Sequence, residues 1–193
     1  MIITYQGENY FKIQSGELSV LIDPENQRSL RGANAAVNTL LPAPVPTPEG
    51  DECFWIDHQG EYEVRGIHVR GWSVEEDGGV EKTIYRIVFD DVTIAVFGHI
   101  TKEPPKELLE YLEDADVAIV PAGNNPYLAP NATAKLLRQI EPSVVIPSLF
   151  KDLKPFLKEL NHGNDAIKPE EKFVFKKKDL EPKAMVVHWL EVK

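Results

Sequence analysis

The sequence predicts an α/β chain with an α+β-like order, in which two mixed sheets pack face to face and helices lie outside. Three observations carry this. The first half is a run of short β-branched and aromatic segments separated by turn residues, as an antiparallel meander requires. After Glu103 the apolar spacing changes, and fully apolar strands alternate with leucine-bearing helical stretches in β-α-β-α-β order. The strands of that second half end at loops on one edge, where α/β ligand sites occur. At 193 residues and 42% hydrophobic content, one domain over 1–193 buries an adequate core.

The elements follow in order. Ile2 to Tyr5, Tyr10 to Ile13 and Leu18 to Ile22 are strands, parted by Gly7-Glu8-Asn9 and Ser15-Gly16-Glu17, and Asp23-Pro24 ends the third. Ala33 to Leu40 reads as a short buried strand. It runs into a ladder in which Pro42, Pro44, Pro46 and Pro48 fall at every second position. Proline has no N–H and a fixed φ, and it drives the residue before it out of the α region, so Leu40 to Pro48 is extended and cannot be a helix or central strand.

Strands resume at Cys53 to Ile56, Gly60 to Val64, Ile67 to Trp72, Thr83 to Phe89 and Val92 to Phe97. Arg65-Gly66 and Asp90-Asp91 read as tight hairpin turns, and Glu75 to Gly79 as a solvated loop. Pro104 to Leu112 and Asn131 to Ile140 read as helices with proline at or before their starts. Val117 to Pro121 and Ser143 to Pro147 are buried strands. A short helix over Leu153 to Leu160 and closing strands at Phe173 to Phe175 and Ala184 to Leu190 complete the chain.

Charge and cysteine content exclude several function classes. The 31 acidic and 21 basic residues give a formal charge of −10 spread along the chain, which lacks the basic footprint that nucleic acid or an anionic membrane needs. Lys176-Lys177-Lys178 is the one local basic run, and acids bound it. The lone Cys53 cannot form an internal disulfide, and no signal segment or membrane-length apolar run is present, so a cytoplasmic location is expected. No Gly-x-Ser-x-Gly, phosphate-binding loop or dinucleotide fingerprint occurs.

Several blocks together resemble the metallo-β-lactamase superfamily, particularly its small zinc-dependent hydrolase-like branch. They are Ile3 to Ile13 with Val20-Leu21-Ile22-Asp23-Pro24, Gly60 to Val69, Ile94 to His99, Val117 to Gly123, and Ile140 to Pro147. The resemblance covers roughly residues 1–150 and implies an αββα sandwich. It also implies a zinc site, because active members carry His-x-His-x-Asp-His after an early strand, a His after the mid-chain hairpin, a Gly-Asp pair and a late Ile-Pro-x-His. Imidazoles and carboxylates at those spacings hold zinc and activate a water.

In this chain those positions hold other residues. Setting Ala33 to Val37 on the family strand puts Leu40, Pro42, Pro44 and Val45 where the motif ligands belong, and none binds a metal. The hairpin His falls near Glu75 or Glu76, Gly-Asp becomes Gly98-His99, and the last His becomes Leu149. The resemblance therefore implies the framework without its zinc cofactor, and with the helix after the first strand unit missing. The expected function is a non-catalytic module that binds a small molecule or protein. A helix lost from a sheet uncovers apolar surface, so a homodimer is expected as well.

The residues able to rebuild chemistry are His99, Asp23 and Glu76, which could form a non-standard metal site for a hydrolase using a harder or more labile ion than zinc. Each also has a plain structural reading: His99 as a hydrogen-bonding loop residue, Asp23 as a strand terminator, and Glu76 as part of a solvated turn. Asn124, Asn125 and Ser148 sit near strand ends where a polar ligand binds, although Asn-Asn-Pro is also ordinary turn chemistry. His58 and His188 read as turn and strand residues. Cys53 has no neighbouring cation to lower its pKa and is not expected to be a nucleophile.

Overall fold

The computed structural model describes residues 1–48, 50, 53–161 and 167–193. Its strands are β1 (Ile2–Gly7), β2 (Tyr10–Ser15), β3 (Leu18–Ile22), β4 (Ala35–Val37), β5 (Leu40–Leu41), β6 (Phe54–Ile56), β7 (Gly60–Val64), β8 (Ile67–Asp77), β9 (Val80–Phe89) and β10 (Val92–Val96). After α1 (Lys106–Leu109) come β11 (Val117–Pro121), α2 (Pro130–Ile140), β12 (Val144–Ser148), α3 (Lys154–Glu159), β13 (Phe173–Val174) and β14 (Val186–Val187).

These strands form two mixed sheets. The first has the order β13-β1-β2-β3-β4-β6, antiparallel up to β3 and parallel from β3 to β6. The second has the order β14-β12-β11-β10-β9-β8-β7, with β5 also paired to β9. Its hairpins β7–β8–β9–β10 are antiparallel, and β10, β11, β12 and β14 are parallel, as crossover connections through α1 and α2 demand.

Strand alternation places one core between the sheets. Ile3, Phe11, Ile13, Val20 and Ile22 from the first meet Ile67, Tyr85, Ile87, Ile94 and Ile119 from the second. The other face of the second sheet carries Ala95, Ala118, Val120 and Val145, and the helices cover it with Leu108, Leu109, Leu136, Leu137, Ile140 and Phe156. In α2 these residues recur at helical spacing, so one stripe faces the sheet.

The first sheet has no such cover. Among the described residues no α-helix precedes α1, and the outer layer there is reduced to a 3₁₀ turn at Gln27–Leu30 and loops. The apolar face expected to be uncovered is nevertheless closed within the chain. Leu21 and Ala36 are 1% and 0% exposed, and they cluster with Tyr10, Leu30, Ala33 and Cys53. Neighbouring outward positions are polar, at Lys12 and Gln14, so little apolar area needs a helix. Phe54 on edge strand β6 and Val174 on the opposite edge strand β13 are large apolar side chains left exposed on this sheet, at 43% and 59%.

Other departures from the sequence reading are local. The solvated loop expected at Glu75 to Gly79 is strand through Asp77, with only Gly78 and Gly79 in the turn, because Glu75 has a buried partner across the hairpin. The strand expected over Ala184 to Leu190 shrinks to Val186–Val187, and the helix expected from Pro104 to Leu112 narrows to Lys106–Leu109, with turns carrying Leu112 into the core. No helix among the described residues is long and apolar enough to cross a membrane.

Candidate functional site

Asp23, Thr39 and His99 come together where β3, the end of β4 and the end of β10 meet. Asp23 adopts φ 43°, a left-handed turn that Asp tolerates better than most residues, and its N–H donates to Val37 O at 2.9 Å. The turn carries its carboxylate inward to 7% exposure. There Oδ1 accepts from the Thr39 N–H at 2.6 Å, and Oδ2 accepts from Thr39 Oγ1 and Asn9 Nδ2, each at 2.6 Å. Three protein donors therefore satisfy this carboxylate.

Thr39 is fully buried and links the acid to the imidazole. A carboxylate only accepts, so the Thr39 hydroxyl proton points to Asp23, and the 2.9 Å contact with His99 must run from Nδ1–H to the hydroxyl oxygen. His99 Nε2 then holds the lone pair. Burial lowers the His99 pKa, and Lys82 lowers it further, against the opposing fields of Asp23 and Glu8. The ring is thus neutral, 3.6 Å from Asp23 Oδ2 and tilted towards Tyr127 at 5.9 Å between centroids. Gly98 makes this approach possible: at φ 56° a side chain there is strained, and a Cβ would overlap the Thr39 side chain.

A second closed cluster lies on the same side of the hairpin. Lys82 Nζ, on a side chain only 11% exposed, sits 3.1 Å from Glu75 Oε2 and 3.4 Å from Thr101 Oγ1. Glu75 also accepts from the Thr101 N–H at 2.7 Å, the Thr101 hydroxyl at 2.6 Å and the Lys102 N–H at 2.9 Å. Burial alone would raise its pKa, yet these donors hold it below the ordinary value of 4.5. Lys82 also pairs in register with Leu40, and Glu81 with Leu41. Leu40–Leu41, at the start of the segment set against the family's metal motif, is therefore a short strand on β9.

Beside these clusters opens a cleft of about 800 Å³, bounded by the β1–β2 turn and the loops after β11 and β12. Three contacts to backbone carbonyls lock its rim. Glu8, at φ 49°, gives its carbonyl to the Tyr5 hydroxyl at 3.0 Å and to the Leu149 N–H at 3.0 Å, and Gly123 packs so tightly on the Leu149 carbonyl that a Cβ would overlap it. Glu8, Tyr127, Asn124, Asn125 and Leu149 line the space.

The candidates named from the sequence thus separate. His99 and Asp23 are together, whereas Glu76 is exposed on β8 opposite Glu81. Among the described residues no group of three or more His, Cys, Asp or Glu side chains could hold a metal ion. Asp23 and His99 alone supply two donors, one already saturated, so the residues present do not fit the zinc centre of active hydrolases. Asn124 and Asn125 line the cleft, but Ser148 does not: it is fully buried and its hydroxyl donates to Val120 O at 3.2 Å. Cys53 is buried with its thiol pKa raised to about 11, which removes it as a nucleophile.

Asn9, Thr39 and Lys82 were not legible as site residues. Each is polar yet 9% exposed or less, and the only trace in the sequence is a polar residue interrupting an otherwise apolar strand or turn.

Residues 2–148 match a family model described as a beta-lactamase superfamily domain. A crystal structure from Thermotoga maritima, assigned to the Zn-dependent hydrolases of the metallo-β-lactamase superfamily, superposes with a TM-score of 0.79 at 18% identity, covering 100% of this chain and 99% of the other. Igni18, a metallo hydrolase from Ignicoccus hospitalis, gives 0.66 at 15% identity over 91% of this chain and 99% of its own. The metallo-β-lactamase fold protein YhfI from Bacillus subtilis gives 0.65 at 10% identity over 82% and 91%. At these identities the structural likeness is one of fold. No curated protein matches the sequence.

Proposed function

Given that the chain belongs to the metallo-β-lactamase superfamily, we propose that it keeps the fold without the metal chemistry and acts as a non-catalytic binding or assembly module. One observation carries the reading. The place of the superfamily's first metal loop is taken by β5 and the proline ladder, with Leu40 and Leu41 paired to Lys82 and Glu81 on β9. The charged groups nearest it are matched: Asp23 to Thr39 and Asn9, and Lys82 to Glu75. The adjacent cleft is then the place for a ligand.

Metal analysis of the purified protein, paired with turnover of ester and phosphodiester substrates in added zinc or manganese, tests this. Metal well below one equivalent and turnover no greater than in His99→Ala is the expected result. Stoichiometric zinc that His99→Ala loses overturns it.

The second reading, a metal-dependent hydrolase rebuilt around His99, Asp23 and Glu76, has the 3.6 Å approach of His99 to Asp23 in its favour. It needs a third ligand that Glu76, exposed on β8, does not provide as it stands. Assembly as a homodimer belongs to the first reading, with Phe54 on edge strand β6 as its available apolar surface. Light scattering at micromolar concentration then gives twice the 21.7 kDa chain mass, and the chain mass alone rejects it.

A further inference from the structure

The cleft has a chemistry of its own. Its lining carries carboxylates at Glu8, Glu25 and Asp152 against a single cation, Lys151, and its aromatic walls are Tyr5, Tyr127 and Phe150. Tyrosine offers a ring face that attracts cations, and carboxylates accept hydrogen bonds without donating any.

The surroundings add a further acceptor. His99, beside Tyr127, carries a proton on Nδ1 towards Thr39, and burial disfavours a second proton on Nε2. The negative field of Glu8 reaches Tyr5, Tyr127 and His99, favouring the protonated form of each. Leu149 closes one wall with apolar surface. The volume suits a small molecule, and the chain's charge of −10 draws cations towards it.

We propose that the cleft binds an amine-bearing small molecule, its ammonium group held by the Glu8 carboxylate against the Tyr127 ring. The proposal rests on the binding-module reading and names its ligand class. Glu8 is suited to the role because its backbone is pinned by Tyr5 and Leu149 while its side chain is exposed, so a charge is presented from a fixed mount.

Calorimetric titration of the full chain with 1,4-diaminobutane, with succinate as the oppositely charged control, tests this at low and high salt. Saturable binding of one diamine that weakens with salt is expected, with succinate silent. Glu8→Gln should weaken it about tenfold or more, the scale of one hydrogen bond to a charged group. Tyr127→Leu should weaken it too, while Glu61→Gln on distant edge strand β7 should leave it unchanged. Absence of saturable diamine binding overturns the proposal, as does preferential succinate binding or an equal loss in Glu61→Gln, which would mark diffuse attraction to an acidic surface. The Glu8 and Tyr127 side chains lie outside the apolar clusters of the sandwich, so folding of these variants is checked simply by an unchanged melting temperature. Protein that carries stoichiometric zinc and still binds the diamine would remove the non-catalytic reading and keep this one. Metal-free, inert protein that ignores the diamine would do the reverse.

Discussion

Removing Glu75 should damage the fold far more than removing Lys82, although the two form one ion pair. The asymmetry follows from their partners. Without Lys82, the Glu75 carboxylate keeps its bonds from the Thr101 N–H, the Thr101 hydroxyl and the Lys102 N–H. Lys82→Met then forfeits one charge-assisted contact and retains the packing of the stem, a loss of about 1–2 kcal/mol. Without Glu75, the ammonium on an 11% exposed side chain keeps only a 3.4 Å contact to a hydroxyl, and the donors at Thr101 and Lys102 are orphaned together. Glu75→Leu should cost about 3–5 kcal/mol, the range for an uncompensated buried charge.

Urea unfolding followed by tryptophan fluorescence reads both, and Trp72 lies on the same strand as Glu75. The double variant Glu75→Leu with Lys82→Met should be more stable than Glu75→Leu alone, because the stranded cation is gone. A Lys82→Met cost equal to or above that of Glu75→Leu would refute the reasoning, as would strict additivity in the double variant.

Three further outcomes follow from the Asp23 cluster. Burial lowers the His99 pKa below its ordinary 6.5, so the unfolded chain binds more protons as pH falls through that value; stability should be complete above about pH 6.5 and decline below it. Urea midpoints across that range should show a slope in the wild type that is reduced in His99→Gln, and equal slopes would reject the assignment of a neutral ring. Gly98→Ala should cost about 2 kcal/mol or more through strain and overlap with Thr39, whereas Gly66→Ala, left-handed but with open space around it, should cost only about 1 kcal/mol; thermal melts compare them. Thr39→Val removes the bridge between acid and imidazole while keeping its shape, so it should destabilise by about 1–3 kcal/mol and raise the His99 pKa by histidine NMR titration, as Asp23 loses a donor and turns to the ring.

The framework was legible because its signals are periodic. Ile3 to Ile13 alternates, Val20 to Ile22 is a short β-branched apolar run between turn residues, and Asn131 to Ile140 repeats its apolar side chains at helical spacing. The expectation of no zinc at Leu40, Pro42, Pro44 and Val45 rests on side chains that have no metal-binding atoms. The closed clusters were not. The bond from Asp23 to Thr39 spans 16 residues and that from Glu75 to Thr101 spans 26, and no local pattern pairs residues across such intervals. Glu75 shows the consequence: beside Glu76, Asp77 and two glycines it reads as a solvated turn, whereas Lys82 across the hairpin and the donors of Thr101 and Lys102 draw it inside.

The pairing of β5 with β9 also bears on ancestry. On a strand, successive side chains point to opposite faces, so while Leu40 and Leu41 remain in register with Lys82 and Glu81 the start of this segment is held extended and cannot fold into the loop that His-x-His-x-Asp-His needs to bring its side chains to one ion. Regaining a metal loop requires breaking that register, replacing several prolines and freeing Lys82 from Glu75, and each step alone is destabilising or without benefit. The register of β5 on β9 thus acts as a lock on this segment: no single substitution turns it into a metal loop, because backbone pairing and side-chain identity have to change together.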